Sequence, residues 1–125
     1  MHREQIRTDE APAPSGSYSQ AIRSGSLLFL AGQGPYTADG APVVGTVAEQ
    51  TRQVLENLRR VAEAAGGRLE DAVRVGVYLS SLDHFDEMDA QYRDQFTAPL
   101  PARTTIQSDL VGFDVEMDAV VALPG

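Results

Sequence analysis

Arg103, in Pro101-Ala102-Arg103, and the carboxylates Glu116 and Asp118, in Val115-Glu116-Met117-Asp118-Ala119-Val120, are the residues of this chain best suited to chemistry. They put one permanent cation and two acids on what read as successive strands. A planar guanidinium forks onto a carboxylate, and a nearby acid can take a proton from water. The set therefore suits hydrolysis of a small anionic substrate. Ser19, Thr104 and Thr105 carry hydroxyls, but no histidine shares a motif with them, so they lack an activating base.

Composition removes several rival classes. A chain of 125 residues is long enough for one core, so residues 1–125 are read as one domain, with 1–14 a partly extended, Pro-rich N-terminal segment. The net charge is −8, lysine is absent and the arginines are scattered. Binding nucleic acid needs clustered cations, so no nucleic-acid partner is expected. Cysteine is absent, which excludes disulfides, thiolate nucleophiles and thiolate metal sites. His2 and His84 are too few and too far apart to suggest zinc, and neither a metal nor a cofactor is expected. The opening Met1-His2-Arg3-Glu4-Gln5-Ile6 has no apolar run. A cytoplasmic protein with no membrane partner is the expectation.

The elements that must hold these residues alternate along the chain. Tyr18 to Arg23 and Ser26 to Ala31 read as a hairpin about Ser24-Gly25, and the turn formers from Gly32 to Gly40 read as a loop. Thr46 and Glu49 form a capping box. Val54, Leu55, Leu58, Val61, Ala62 and Ala65 then follow at helical spacing as far as Gly66-Gly67. Val73, Val75, Val77 and Leu79 alternate with Arg74, Gly76, Tyr78 and Ser80 as a half-buried strand. Asp83 is read as the cap of a second helix with Phe85, Met88, Tyr92 and Phe96 on its apolar face, stopped by Pro99 and Pro101. Strands from Arg103 to Asp109 and from Val115 to Leu123 complete a β-β-α-β-α-β-β order. The class is α+β: one mixed sheet with both helices on one face. In the last strand Val115, Met117, Ala119 and Val121 share one side, and Glu116, Asp118 and Val120 the other. The uncovered sheet face suits burial against other subunits, with sites in the clefts between them.

These segments together resemble the RidA family, also called the YjgF or reactive-intermediate deaminase family. The resemblance rests on Ala11-Pro12, Gly16-Ser17-Tyr18-Ser19-Gln20-Ala21, Ala31-Gly32-Gln33 with Pro35, Gln53-Val54-Leu55-Glu56-Asn57-Leu58, Ala64-Ala65-Gly66, Phe85 with Tyr92 and Phe96, Pro101-Ala102-Arg103 and Val115-Glu116-Met117-Asp118-Ala119. It implies a chorismate-mutase-like fold assembled as a homotrimeric ring with ligand sites between subunits. For members that keep the arginine, it implies hydrolysis of 2-imino or enamino acids such as 2-iminobutanoate and 2-iminopropanoate to 2-oxo acids and ammonia.

The resemblance also implies roles. Arg103 would bind the substrate carboxylate, Glu116 would activate the attacking water, and Tyr18 would contact the substrate or leaving nitrogen. Gly32, Gly34, Asp89 and Thr105 join the expected binding set, and Asp118 is assigned to the fold or an interface. Three departures bear on the substrate. Asp89 stands where active deaminases commonly have Asn, Ser17 replaces the usual Pro, and Gly34 replaces a bulky apolar residue expected to line the site. The connection from Arg103 to Glu116 also reads as slightly shorter than in the archetype. The alternatives are a pathway-specific hydrolase, a binding module for small carboxylates without turnover, and an RNA-cleaving or translation-inhibiting protein, which the acidic charge disfavours.

Overall fold

Stretches of alternating apolar residues separated by two helical stripes force strands to return through helices laid on the sheet. The computed structural model describes residues 2–125. Its strands are β1 (Glu4–Ile6), β2 (Ala21–Ser24), β3 (Leu27–Gln33), β4 (Ala72–Leu79), β5 (Ala102–Gln107) and β6 (Val115–Ala122), and its helices are α1 (Val47–Ala64) and α2 (Phe85–Gln95). They form one sheet in the order β1-β2-β3-β6-β4-β5. β4 and β5 pair in parallel, joined through α2, because parallel neighbours need a crossover. The remaining neighbours are antiparallel. β6 thus sits between β3 and β4, the two strands that α1 connects. This is the expected mixed sheet with two helices on one face, in the chorismate-mutase-like order.

The core lies between that face and the helices. Leu28 and Leu30 of β3, Val75, Val77 and Leu79 of β4, and Val115, Met117, Ala119 and Val121 of β6 pack against Val54, Leu58 and Val61 of α1 and Met88 and Tyr92 of α2. Full burial of each large aliphatic side chain contributes about 1.5–3 kcal/mol. The start of α1 is fixed as the sequence requires: the Thr46 side chain accepts from Glu49 N, and Glu49 Oε1 accepts from Thr46 N at 2.9 Å. α2 adds to this end, since Glu87 Oε2 accepts from Ala48 N at 2.8 Å. Among the described residues no helix is long and apolar enough to cross a membrane.

Several boundaries differ from the sequence reading, each for a local reason. Tyr18 lies outside the first long strand, which starts at Ala21. Gln20 turns its side chain inward instead: its Oε1 accepts from Thr8 N at 2.8 Å, and its Nε2 donates to Pro12 O at 2.9 Å. That clamp holds the N-terminal segment, whose residues Glu4–Ile6 add an edge strand to β2. The second strand of the hairpin runs past Ala31 to Gln33 through a register shift after Leu30. Val73 is about half exposed rather than buried, because the β4–β6 register slips between Ala72 and Arg74 and flips it to the open face. Asp83 does not cap α2. The Ser81 hydroxyl accepts from Asp83 N in a short 3-10 turn, and α2 begins after it with no side-chain cap.

The face of the sheet away from the helices carries Leu27, Phe29, Val73 and Ile106, all exposed, beside Tyr78, Glu116 and Asp118. Several large apolar side chains exposed on one sheet face suit an interaction surface.

Candidate active site

Strand alternation puts Glu116 on the open face of β6, directly across from Tyr78 of β4. The neighbouring strand must leave room for it. The register shift in β3 brings Gly32 beneath the carboxylate, where an added Cβ would lie 2.5 Å from Glu116 Oε2. Any larger residue at 32 would displace the acid. Among the described residues no group donates a hydrogen bond to this carboxylate, so its lone pairs are free. Burial raises its pKa above the usual 4.5, and the charge of Asp118 raises it further.

Asp118 is itself tethered. Its Oδ2 accepts from the Tyr78 hydroxyl at 2.8 Å and its Oδ1 from Gly76 N at 3.1 Å. The hydrogen bond to Asp118, followed by burial, pushes the Tyr78 hydroxyl up. Asp118 thus stands as a fixed anion one pleat from Glu116.

Glu116 lines a cleft of about 620 Å³ together with Tyr18, Gly32, Gly34, Tyr36 and Phe113. The exposed Tyr18 reaches it from the bend ahead of β2. Its oxygen accepts from Ser15 N at 3.1 Å and lies 3.3 Å from Ser15 Oγ, so its hydrogen can go to that hydroxyl or to a ligand.

Arg103 points the other way. It is in register with Val75, whose side chain is fully buried on the helix side, so Arg103 shares that side of the sheet with Thr105. There the guanidinium lies 4.5 Å from the ring centre of Tyr92 and 5.3 Å from that of Phe85. Its Nη1 donates to Asp89 Oδ1 at 2.6 Å, and Arg93 Nη2 donates to Asp89 Oδ2 at 3.2 Å. Asp89, Tyr92, Arg93 and Arg103, with Leu100 and Pro101, line a second recess of about 360 Å³. Among the described residues the buried Tyr92 hydroxyl has no hydrogen-bond partner, and burial pushes its pKa up.

The expected site residues therefore form two groups. Tyr18, Gly32, Gly34 and Glu116 meet in one cleft; Asp89, Thr105 and Arg103 gather at the β5 edge on the opposite side of the sheet. One chain cannot present a single ligand to both Arg103 and Glu116.

The sequence reading missed the residues that hold the large cleft open. Asn57, fully buried on α1, donates from Nδ2 to Tyr36 O at 2.8 Å and to Gly34 O at 3.2 Å. Gln50, one heptad earlier, donates to Asp114 Oδ2 at 3.0 Å and accepts from Asp114 N at 2.8 Å. Ser80 Oγ donates to Asp114 Oδ1 at 2.6 Å, and these hydroxyl and amide donors lower the Asp114 pKa. A signal was present: two amide residues seven apart on a mostly apolar helix face must find buried partners.

Comparison with known proteins agrees with this architecture. Residues 8–123 match the model of the family described as Endoribonuclease L-PSP. A RutC family protein of Pyrococcus abyssi is 41% identical over 123 residues, covering 96% of this chain and 97% of that protein. The crystal structure of RidA from the Antarctic bacterium Psychrobacter sp. PAMC 21119 superposes with a TM-score of 0.90 at 32% identity, covering 96% of this chain and 99% of that one. The crystal structure of E. coli TdcF with bound serine gives a TM-score of 0.89 at 27% identity, covering 97% and 99%. This chain belongs to the Endoribonuclease L-PSP family, the RidA/YjgF family that its motifs resemble.

Proposed function

We propose that this protein hydrolyses small 2-imino and enamino acids to 2-oxo acids and ammonia, in clefts completed between the subunits of a homotrimer. The observation that carries the reading is Glu116: an unpartnered carboxylate with a raised pKa, seated over Gly32 in a cleft large enough for a ligand. A carboxylate whose pKa is raised above the ordinary value takes a proton from water more readily than an ordinary glutamate does.

The chemistry follows from its position. Water oxygen attacks the carbon of the N-protonated imine as Glu116 takes a water proton, and the C=N electron pair moves to nitrogen, leaving a neutral carbinolamine. Glu116 gives that proton to the amine nitrogen. The C–N bond breaks as the hydroxyl oxygen forms the C=O bond and its proton passes to the Glu116 carboxylate, and ammonia and the 2-oxo acid leave. The Tyr18 hydroxyl is placed to donate to the substrate, and the backbone around Gly32 can approach it closely.

Assembly supplies the carboxylate anchor. The open face, with Leu27, Phe29 and Ile106 exposed, is the surface that would be buried between subunits. Each complete site would then combine Tyr18, Gly32, Gly34 and Glu116 of one subunit with Arg103, Asp89 and Thr105 of its neighbour. Arg103 keeps unpaired N–H groups with which to meet an α-carboxylate. The serine bound by E. coli TdcF shares an α-carboxylate and a nitrogen on the α-carbon with a 2-imino acid, which supports a ligand of this class.

The Asp89–Arg103 pair favours a second reading, a carboxylate-binding protein without turnover, because the anchor is already partly neutralised. Ammonia release separates the two. Imino acids generated in situ from alanine and 2-aminobutanoate by an amino acid oxidase should be hydrolysed well above the spontaneous rate. Glu116→Gln should lower that rate by about 10²–10⁴-fold. Release no faster than in buffer would end the deaminase reading.

A further inference from the structure

The large cleft does not end at Glu116. It continues to an aromatic wall formed by Tyr36 and Phe113, whose rings meet edge to face with centroids 5.7 Å apart at 77°. Gly34 is what admits this wall. A Cβ at position 34 would lie 2.9 Å from Tyr36 Cε2 and 3.5 Å from Phe113 Cε2, so the Tyr36 ring takes the space a side chain there would fill. The φ of Gly34 is not positive, so the glycine is required for room and not for backbone conformation.

The wall is also held from behind. Asn57 fixes the carbonyls of residues 34 and 36, and Gln50 and Ser80 fix Asp114 beside Phe113. Two aromatic side chains that remain only partly buried are thereby pinned on separate loops, both facing the cleft that holds the unpartnered acid. Methyl- or ethyl-sized substrates leave such a wall bare. A cleft of about 620 Å³ falls within the range that encloses considerably larger ligands.

We infer that Tyr36 and Phe113, admitted by Gly34, form a specificity subsite selecting 2-imino and 2-oxo acids with an aromatic side chain, stacked against this wall while the acid end lies at Glu116 and the neighbouring Arg103. The inference rests on the deaminase reading for its reaction but not for its binding preference. Aromatic contact adds to apolar burial, and loss of a matched side chain from a fitted pocket changes discrimination by roughly 10–200-fold.

Binding and turnover are measured separately. By calorimetry, phenylpyruvate should bind the wild-type protein at least about tenfold more tightly than pyruvate. The ammonia-release kcat/KM for the imine made from phenylalanine should exceed that for the imine made from alanine by a similar factor. Phe113→Ala, and Gly34→Ile, which displaces the Tyr36 ring, should each reduce the phenylpyruvate-to-pyruvate affinity ratio about tenfold, with thermal unfolding confirming folded protein. Equal affinity of the wild type for the two oxo acids, or a preference for pyruvate, overturns the inference whatever the variants do. A preference for phenylpyruvate without ammonia release from any imine would leave the subsite standing and remove the deaminase reading.

Discussion

The Glu116 cleft and the Arg103 recess lie on opposite sides of one sheet and satisfy their charges in opposite ways. Among the described residues Glu116 has no hydrogen-bond donor and is kept uncomfortable, with burial and a tethered Asp118 both opposing its ionisation. Arg103 is comfortable: it rests against two aromatic rings and is paired with Asp89 at 2.6 Å. The Glu116 half is open to whatever enters, while the Arg103 half is internally compensated. A group meant to change protonation gains from strain, whereas a permanent cation at a partly buried edge needs a counter-ion until a ligand replaces it.

The sharpest way to break this comparison uses the separation itself. In a ring of identical subunits, Glu116→Gln and Arg103→Ala proteins should each be nearly inactive, because each spoils every site. Unfolded and refolded together in equal amounts, they should regain about a quarter of wild-type ammonia release, since half times half of the interfaces pair an intact Glu116 with an intact Arg103. A mixture no more active than the separate variants would show that the two halves never form one site. Arg103→Lys should restore little, because a point charge does not fork.

That separation marks the boundary of what was legible in the sequence. Period-two alternation in Val115 to Ala122 and the capping box at Thr46 and Glu49 were enough for the helix side of the core, and the motifs pointed to Arg103 and Glu116. Which face Arg103 occupies depends on its register with Val75 across a parallel pair, and no local pattern encodes that register. The two β-bulges were hidden for a related reason, since one extra residue looks like continued alternation until its partner strand is known. Val73 shows the cost, read as core and found half exposed. The aromatic wall was invisible because Tyr36 and Phe113 sit in turn-rich loops, and only the fold, through Asn57 and Gln50, brings them together.

A smaller effect tests the internal compensation of Arg103. Asp89→Asn removes the anion at nearly constant shape, so an incoming carboxylate no longer competes with it. Pyruvate or phenylpyruvate should bind about five- to tenfold more tightly, on the order of 1 kcal/mol for a charge contact at a partly buried edge. The change should also lower the thermal stability of the ligand-free protein, because the partly buried guanidinium loses its counter-ion, and a bound oxo acid should restore it. Unaltered affinity for both oxo acids would mean that Arg103 engages ligands through N–H groups that Asp89 does not influence.

The smallest effect concerns the strain on Glu116. A carboxylate acting as base must be ionised, so ammonia release should fall as pH drops through its pKa, and that acid limb should lie above the range of an ordinary glutamate. Burial is the larger cause of the elevation and the charge of Asp118 the smaller. Asp118→Asn removes only the second. Asn keeps an oxygen for Gly76 N and offers its amide to the Tyr78 oxygen, which can reverse its role in the bond, so the scaffold around Glu116 is retained. With the neighbouring anion gone, the Glu116 pKa falls and the acid limb of the profile shifts to lower pH. The variant should therefore outperform the wild type on the acid side, while at higher pH, once both are ionised, its weaker base should give an equal or slightly lower rate. An acid limb that stays in place would assign the whole elevation to burial and leave Asp118 as a strand tether alone. A limb that moves upward would mean that Asp118 lowers the pKa through a contact absent from this chain by itself, such as one made across the subunit boundary.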